Sequence, residues 1–163
     1  MKKNDIKALI FDWGDTIMRD FPEKPGPMYT WDKVAYIPGA ETMLQQLYQK
    51  YTMVIATNAG ASDTQTMIKA LQRVGADKYF QYFFSSKDLG YEKPDVRFFE
   101  TISTHIGIAP GKCVMIGNIY DKDITGARAC GMSTIFFNEK NLPGTFPDAA
   151  LVIQNLEELS GYL

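Results

Sequence analysis

An apolar run, Ala8-Leu9-Ile10-Phe11, ends abruptly in Asp12-Trp13-Gly14-Asp15-Thr16. A carboxylate at such a point can attack phosphorus and divide a phosphoryl transfer into two easier steps. Further groups of suitable type follow along the chain: Thr57-Asn58, Lys93, and Asn118 with Asp121 and Asp123. A hydroxyl and a lysine offer donors and positive charge to phosphoryl oxygens. Carboxylate and carbonyl oxygens are hard ligands suited to Mg²⁺, which commonly binds together with substrate phosphate. A nucleophile, a charge clamp and a metal seat are all present, provided that the fold gathers them.

The elements around these residues predict that it does. Continuous apolar runs read as buried parallel strands: 8–11, then 53–56 closing on Thr57, 83–84 before Ser85, 114–116 ending at Gly117-Asn118, 133–137, and 151–153 as a sixth. Between them, Met43, Leu44, Leu47 and Tyr48 fall at helical spacing after Pro38-Gly39. Further helices are predicted over 62–74, with Ser62 as N-cap and Gly75 as stop, and over 95–106, 123–130 and 156–163. Alternating strands and helices imply an α/β fold, a Rossmann-like three-layer sandwich with a parallel sheet of five or six strands. Ligands of such sheets bind beyond the carboxyl ends of the strands. Asp12, Thr57, Ser85 and Asn118 each stand just after a strand and should meet in one crevice.

The 163 residues suit one domain, expected over 1–163, and 45% hydrophobic content is enough for a real core. A formal charge of −2, with both signs scattered, gives no electrostatic case for nucleic acid or an anionic membrane as partner. Cys113 and Cys130 are too few for a disulfide framework and read as buried free thiols in a reducing compartment. The first apolar run is too short for a secretory or membrane-spanning segment, so the expected location is cytoplasmic.

Four segments, in order, then resemble the motifs of the haloacid dehalogenase-like superfamily. Phe11-Asp12-Trp13-Gly14-Asp15-Thr16 resembles the first, normally Asp-x-Asp-Gly-Thr. Thr57 resembles the second, Lys93-Pro94 the third, and Gly117-Asn118 with Asp123 and Gly126-Ala127 the fourth, normally Gly-Asp-x-x-x-x-Asp. The resemblance implies Asp12 as nucleophile and Mg²⁺ ligand, Thr57 as a phosphoryl holder, and Lys93 as the neutralising cation. It also implies that the Gly14 carbonyl, Asn118 and Asp123 complete the metal site, directly or through water.

Two departures stand out. The family's phosphatases carry an acid–base aspartate two residues after the nucleophile, where this chain has Gly14; Asp15 is one residue later. Loss of a general acid lowers rates by roughly 10²–10⁴, so good leaving groups should suffer least. Asn118 replaces an aspartate, which weakens a metal site by one negative charge. The expected function is Mg²⁺-dependent hydrolysis of a small phosphorylated substrate through an aspartyl-phosphate. The alternative is a slow or inactive relative that binds phosphorylated ligands or a protein; a dehalogenase is disfavoured because its chemistry needs a dry, enclosed pocket.

Other residues have plainer readings. Asp121 suits a helix start on dipole grounds alone. His105 lies in a helix away from every motif, and Tyr79, Phe80, Tyr82, Phe83 and Phe84 read as core. Trp13 should flank the pocket and, with Asn58, contact substrate. The proline- and aromatic-rich stretch 19–38 stands where this superfamily often carries a cap, but it is too short for a helical bundle. The site should then be open, unless Met28, Tyr29 and Trp31 or the second subunit of a homodimer cover it.

Overall fold

Six strands form one wholly parallel sheet in the computed structural model, which describes residues 5–163. They are β1 (Ala8–Phe11), β2 (Thr52–Thr57), β3 (Tyr82–Ser85), β4 (Cys113–Gly117), β5 (Ser133–Phe137) and β6 (Leu151–Ile153), in spatial order β3-β2-β1-β4-β5-β6. The chain builds outward from β1 to β3, then returns to the other side of β1 and builds outward again. The strand order therefore reverses between β1 and β4, where a parallel sheet opens a crevice at its carboxyl end. Phe11 is in register with Ile55 on one side and Ile116 on the other.

Both faces of the sheet are covered, which is why the strands read as unbroken apolar runs rather than alternating ones. Leu9, Phe11, Met53 and Ile55 face α1 (Ala40–Leu47), α2 (Thr64–Val74) and α6 (Leu159–Tyr162). Ala8, Ile10, Val54 and Ala56 face α4 (Val96–Ile106) and α5 (Thr125–Ala129). A short α3 (Ser86–Leu89) follows β3.

Several boundaries differ from the sequence expectation, each for a local reason. Helix α2 is capped by Asp63, whose carboxylate accepts from the Thr66 amide at 2.9 Å, and not by Ser62. The stretch expected as helix from Asp123 begins earlier, as a π-helical turn over Tyr120–Ile124, and α5 starts only at Thr125. That turn folds Asp123 back so that the Ile119 amide donates to its Oδ2 at 2.9 Å. The closing segment is a 3₁₀ turn, Leu156–Glu158, running into α6. Because β3 is an edge strand, Tyr82 is exposed and Phe83 and Phe84 are half-buried; only Tyr79 and Phe80 of the aromatic group are core.

Cys113 is buried on β4, whereas Cys130 is half-buried at the end of α5. Burial pushes both thiols up to about 11, which leaves them protonated and poorly nucleophilic at neutral pH. No helix among the described residues is long and apolar enough to cross a membrane.

The 19–38 stretch is largely irregular. Its two ends pair briefly, the Arg19 amide donating to the Ala35 carbonyl and the Ile37 amide to that of Ile17, both at 2.9 Å. A 3₁₀ turn, Met28–Thr30, lies over α2, where Arg73 donates to the backbone carbonyls of Tyr29, Trp31 and Asp32.

Candidate active site

The crevice between β1 and β4 holds the expected nucleophile. Asp12 follows β1 directly, and its amide donates to the Ile116 carbonyl at 2.9 Å, so the last bond of the sheet sets its position. Its Oδ1 accepts from Lys93 Nζ at 2.7 Å, and the same ammonium donates to Asp123 Oδ1 at 2.8 Å and to the Ala56 carbonyl at 3.2 Å. Lys93 is thereby fully used: three donors, three acceptors, and 3% exposure.

The three charges do not balance. Burial opposes the Lys93 ammonium, but Asp12 and Asp123 outweigh it and raise its pKa, so the cation is secure. Burial pushes the Asp123 carboxyl up to about 6, with Lys93 pulling down and the Asp12 charge pushing up. One ammonium serves two carboxylates, and the buried set remains one positive charge short.

Two absent side chains make this packing possible. A Cβ on Gly117 would come within 2.3 Å of the Asp123 carboxylate. A Cβ on Gly126 would come within 2.1 Å of the Pro94 carbonyl, so only glycine lets α5 approach the Lys93-Pro94 segment this closely. Asn58 fixes that segment from the other side: its Oδ1 accepts from the Lys93 amide at 2.8 Å and its Nδ2 donates to the Lys93 carbonyl at 3.0 Å. The side chain expected to contact substrate is thus committed to the backbone that carries the lysine.

The second oxygen of Asp12 faces Asn118. Thr16 Oγ1 lies 3.3 Å from Asp12 Oδ2 and 3.2 Å from Asn118 Oδ1, and it is fully buried. One hydroxyl carries one proton and can satisfy only one of these oxygens at a time. The neighbouring Gly14 carbonyl accepts no hydrogen bond from the described residues. Asp12 Oδ2 and Asn118 Oδ1, gathered on one hydroxyl beside a set short of positive charge, are hard donors of the kind that suit Mg²⁺. Among the described residues no three His, Cys, Asp or Glu side chains form a cation site, so a metal here would depend on carbonyl and amide oxygens and on substrate phosphate. Asp123 has both oxygens engaged, by Lys93 and the Ile119 amide, and stands behind this group.

Next to Asp12, bordered by the Trp13 and Gly14 that follow it, a cleft of about 200 Å³ opens between the 13–31 loop and the 57–62 loop. Trp13, Met28, Trp31 and Thr57 line it, together with Gly14 and Asp20. Met28 and Trp31 therefore do border the site, while Tyr29 turns outward under the Lys69 ammonium, 5.1 Å from its ring. Trp13 is buried, and its indole N–H has no acceptor among the described residues.

Asp15 turns away from the cleft: it has a positive φ of 55°, and its Oδ1 accepts from the Asp20 amide at 3.0 Å and from Arg19 at 3.3 Å. Ser85 pairs with Asp88 at 3.3 Å and takes no part in the site. Asp121 lies with Asn118, Tyr120 and Phe146 along a separate hollow of about 450 Å³ beyond β4 and β5. His105 bonds the Thr101 carbonyl within its own helix.

Sequence reasoning missed two residues. Thr16 lay within the quoted motif, but nothing in its type indicated a bridge to Asn118 across 102 residues of chain. Asp20 stood in the irregular stretch, where no periodicity locates a side chain.

Several known proteins are similar to this chain. The pyrimidine 5'-nucleotidase PynA of Streptococcus pneumoniae is 35% identical over 108 residues, 65% of this chain and 44% of its own. The glyceraldehyde 3-phosphate phosphatase of Methanothermobacter thermautotrophicus is 39% identical over 70 residues, 43% of this chain and 31% of its own. YfnB of Bacillus subtilis is 32% identical over 127 residues, 76% of this chain and 52% of its own. The chain thus spans about a third to a half of the length of these relatives.

In structure, an uncharacterised protein of Listeria monocytogenes superposes with a TM-score of 0.85 at 23% identity, covering 96% of both chains. A magnesium-bound crystal structure of YfnB superposes with a TM-score of 0.81 at 20% identity, covering 97% of this chain and 98% of the other. Residues 15–137 match the family model described as haloacid dehalogenase-like hydrolase. The chain belongs to the haloacid dehalogenase-like hydrolase family.

Proposed function

We propose that this protein hydrolyses small phosphate esters through a phosphoryl group carried on Asp12, with Mg²⁺ as cofactor. The observation that carries this reading is the buried Lys93 ammonium held between Asp12 and Asp123 at the carboxyl end of the sheet. A buried carboxylate fixed against a cation is oriented for attack, and the same cation offsets charge that builds on the phosphoryl oxygens. Thr57, at the end of β2, lines the cleft and would turn its hydroxyl from the Asn58 carbonyl to those oxygens. Asp12, the Gly14 carbonyl and Asn118 would hold Mg²⁺, with Asp123 fixing Lys93 and the turn after β4 behind them. When bound, the ion supplies the positive charge that the buried set lacks and polarises the phosphoryl group.

The relatives support the substrate class. Two are named for phosphatase or nucleotidase action on small phosphorylated compounds. The open cleft disfavours carbon–halogen chemistry, which requires water to be excluded.

The test is hydrolysis of an aryl phosphate with and without Mg²⁺, by the parent and by Asp12→Asn. Turnover should require both the metal and Asp12. Equal turnover after Asp12→Asn would exclude the aspartyl-phosphate route.

A further inference from the structure

Nothing at position 14 can move a proton, and Asp15 points elsewhere, yet the cleft that Gly14 lines holds one ionisable side chain. Of the described residues that line it, Asp20 alone carries an ionisable side chain. We propose that Asp20 is the acid–base residue of the proposed phosphoryl transfer, reaching the reacting oxygens across the space that Gly14 leaves open. The proposal rests on the phosphatase reading above.

Three observations place it there. First, Asp20 lines the same cleft as Trp13 and Gly14, which follow Asp12 directly, and as Thr57 at the end of the neighbouring strand. Second, a Cβ built on Gly14 would lie 3.6 Å from Asp20 Cβ and 3.9 Å from Asp20 Oδ2, so the Asp20 carboxylate occupies the neighbourhood that a side chain at 14 would enter. Third, the loop is built to hold it. The Ile17 amide donates to the Trp13 carbonyl at 2.8 Å and the Asp15 amide to that of Met18 at 2.7 Å, turning the chain back on itself. Asp15 then accepts from the Asp20 amide, and Arg19 is clamped by the fork of Glu139 at 2.7 and 2.8 Å. The Asp20 carboxylate itself forms no ion pair with the described residues.

The chemistry balances. As the bond from Asp12 to phosphorus forms and the ester P–O bond breaks, Asp20 gives its proton to the departing alkoxide. In the second step a water attacks phosphorus while Asp20 takes its proton, the Asp12–phosphorus bond breaks, and inorganic phosphate leaves with Asp12 again a carboxylate and Asp20 again protonated.

The experiment compares an alkyl and an aryl phosphate in the parent, in Asp20→Asn, and in Asp20→Asn combined with Gly14→Asp. Asp20→Asn should slow alkyl phosphate turnover by about 10²–10⁴-fold, the range for a lost general acid. The first turnover of aryl phosphate should stay near the parent rate, giving a burst of one aryl alcohol per enzyme before a slow second step. Gly14→Asp should recover alkyl turnover; a Cβ there meets only ordinary contacts. An Asp20→Asn enzyme as fast as an active parent on both esters, or slowed equally on both in the first turnover, would overturn the role of Asp20 alone. A parent inert toward both esters, or unaffected by Asp12→Asn, would overturn the phosphatase reading and this proposal with it.

Discussion

The floor of the site and its rim are built on different terms. At the floor, Asp12, Thr16, Lys93 and Asp123 are almost wholly buried, sit at strand ends or on packed turns, and bond to one another across the sheet. At the rim, the 19–38 stretch has one short 3₁₀ turn and is held by Arg73, by the Arg19–Glu139 pair and by Met28, Trp31 and Ile37, which are buried against the core. The floor couples chemistry to folding, because each group there is also part of the core. Away from its buried Met28, Trp31 and Ile37, the rim can change without disturbing the core, and in this fold specificity is free to reside there.

The sharpest way to break this contrast is to remove the cation. Lys93→Met leaves two buried carboxylates uncompensated, and loss of one partner from a buried pair costs about 3–5 kcal/mol. Urea denaturation should show that loss, with aryl phosphate turnover abolished. Full stability in Lys93→Met would mean that the floor is not coupled to the fold. Next in size is one substitution made in both regions. Gly126→Ala puts a methyl into the Pro94 carbonyl and should cost about 1–3 kcal/mol by overpacking. Gly60→Ala, on the rim, meets nothing within 4 Å and should stay within about 0.5 kcal/mol of the parent. Similar effects at the two positions, measured by thermal or urea unfolding, would erase the distinction.

The same division decides what could be read from sequence. The strands, their parallel order and the convergence of Asp12, Thr57 and Asn118 followed from apolar runs that stop at polar residues, because both-sided burial leaves that mark on a sequence. Lys93 was identifiable only through its motif; no periodicity foretells that a loop lysine will be 3% exposed. Asn58 was read as a substrate contact and does line the cleft, but its two bonds to backbone 35 residues away were not legible. Side chain-to-backbone bonds of that range depend on loop geometry, which composition does not encode. Asp20 was illegible for the same reason: the turn through residues 13–18 that brings it back over Gly14 is set by backbone bonds, not by any pattern of hydrophobicity.

Asn58 lies between the two regions, on the rim by position and on the floor by its bonds, so it can sharpen the comparison. Asn58→Ala removes both hydrogen bonds to the Lys93 backbone, each worth roughly 0.5–1.5 kcal/mol. Small misplacement of a catalytic group can cost as much as about 10² in rate, so kcat should fall about tenfold or more while KM changes little. A rise in KM at constant kcat would instead return Asn58 to the substrate-binding role.

The smallest expected effect belongs to the rim itself. Arg73 projects from α2 and gathers the carbonyls of Tyr29, Trp31 and Asp32, which seats Trp31 against the cleft and against Phe21 at 6.1 Å between ring centres. Arg73→Ala removes these bonds without opening the core, and because they lie largely at the surface the loss of stability should be no more than about 1 kcal/mol. Freed of this tether, Trp31 and Met28 would no longer form a fixed wall, and the ordering they had supplied in advance would fall on the substrate. KM should therefore rise several-fold for bulky phosphate esters and less for small ones, with kcat on aryl phosphate nearly unchanged. If kcat fell as far as it does in Asn58→Ala, the rim would be positioning the reacting groups, and the division between a catalytic floor and a selective rim would have to be redrawn around α2.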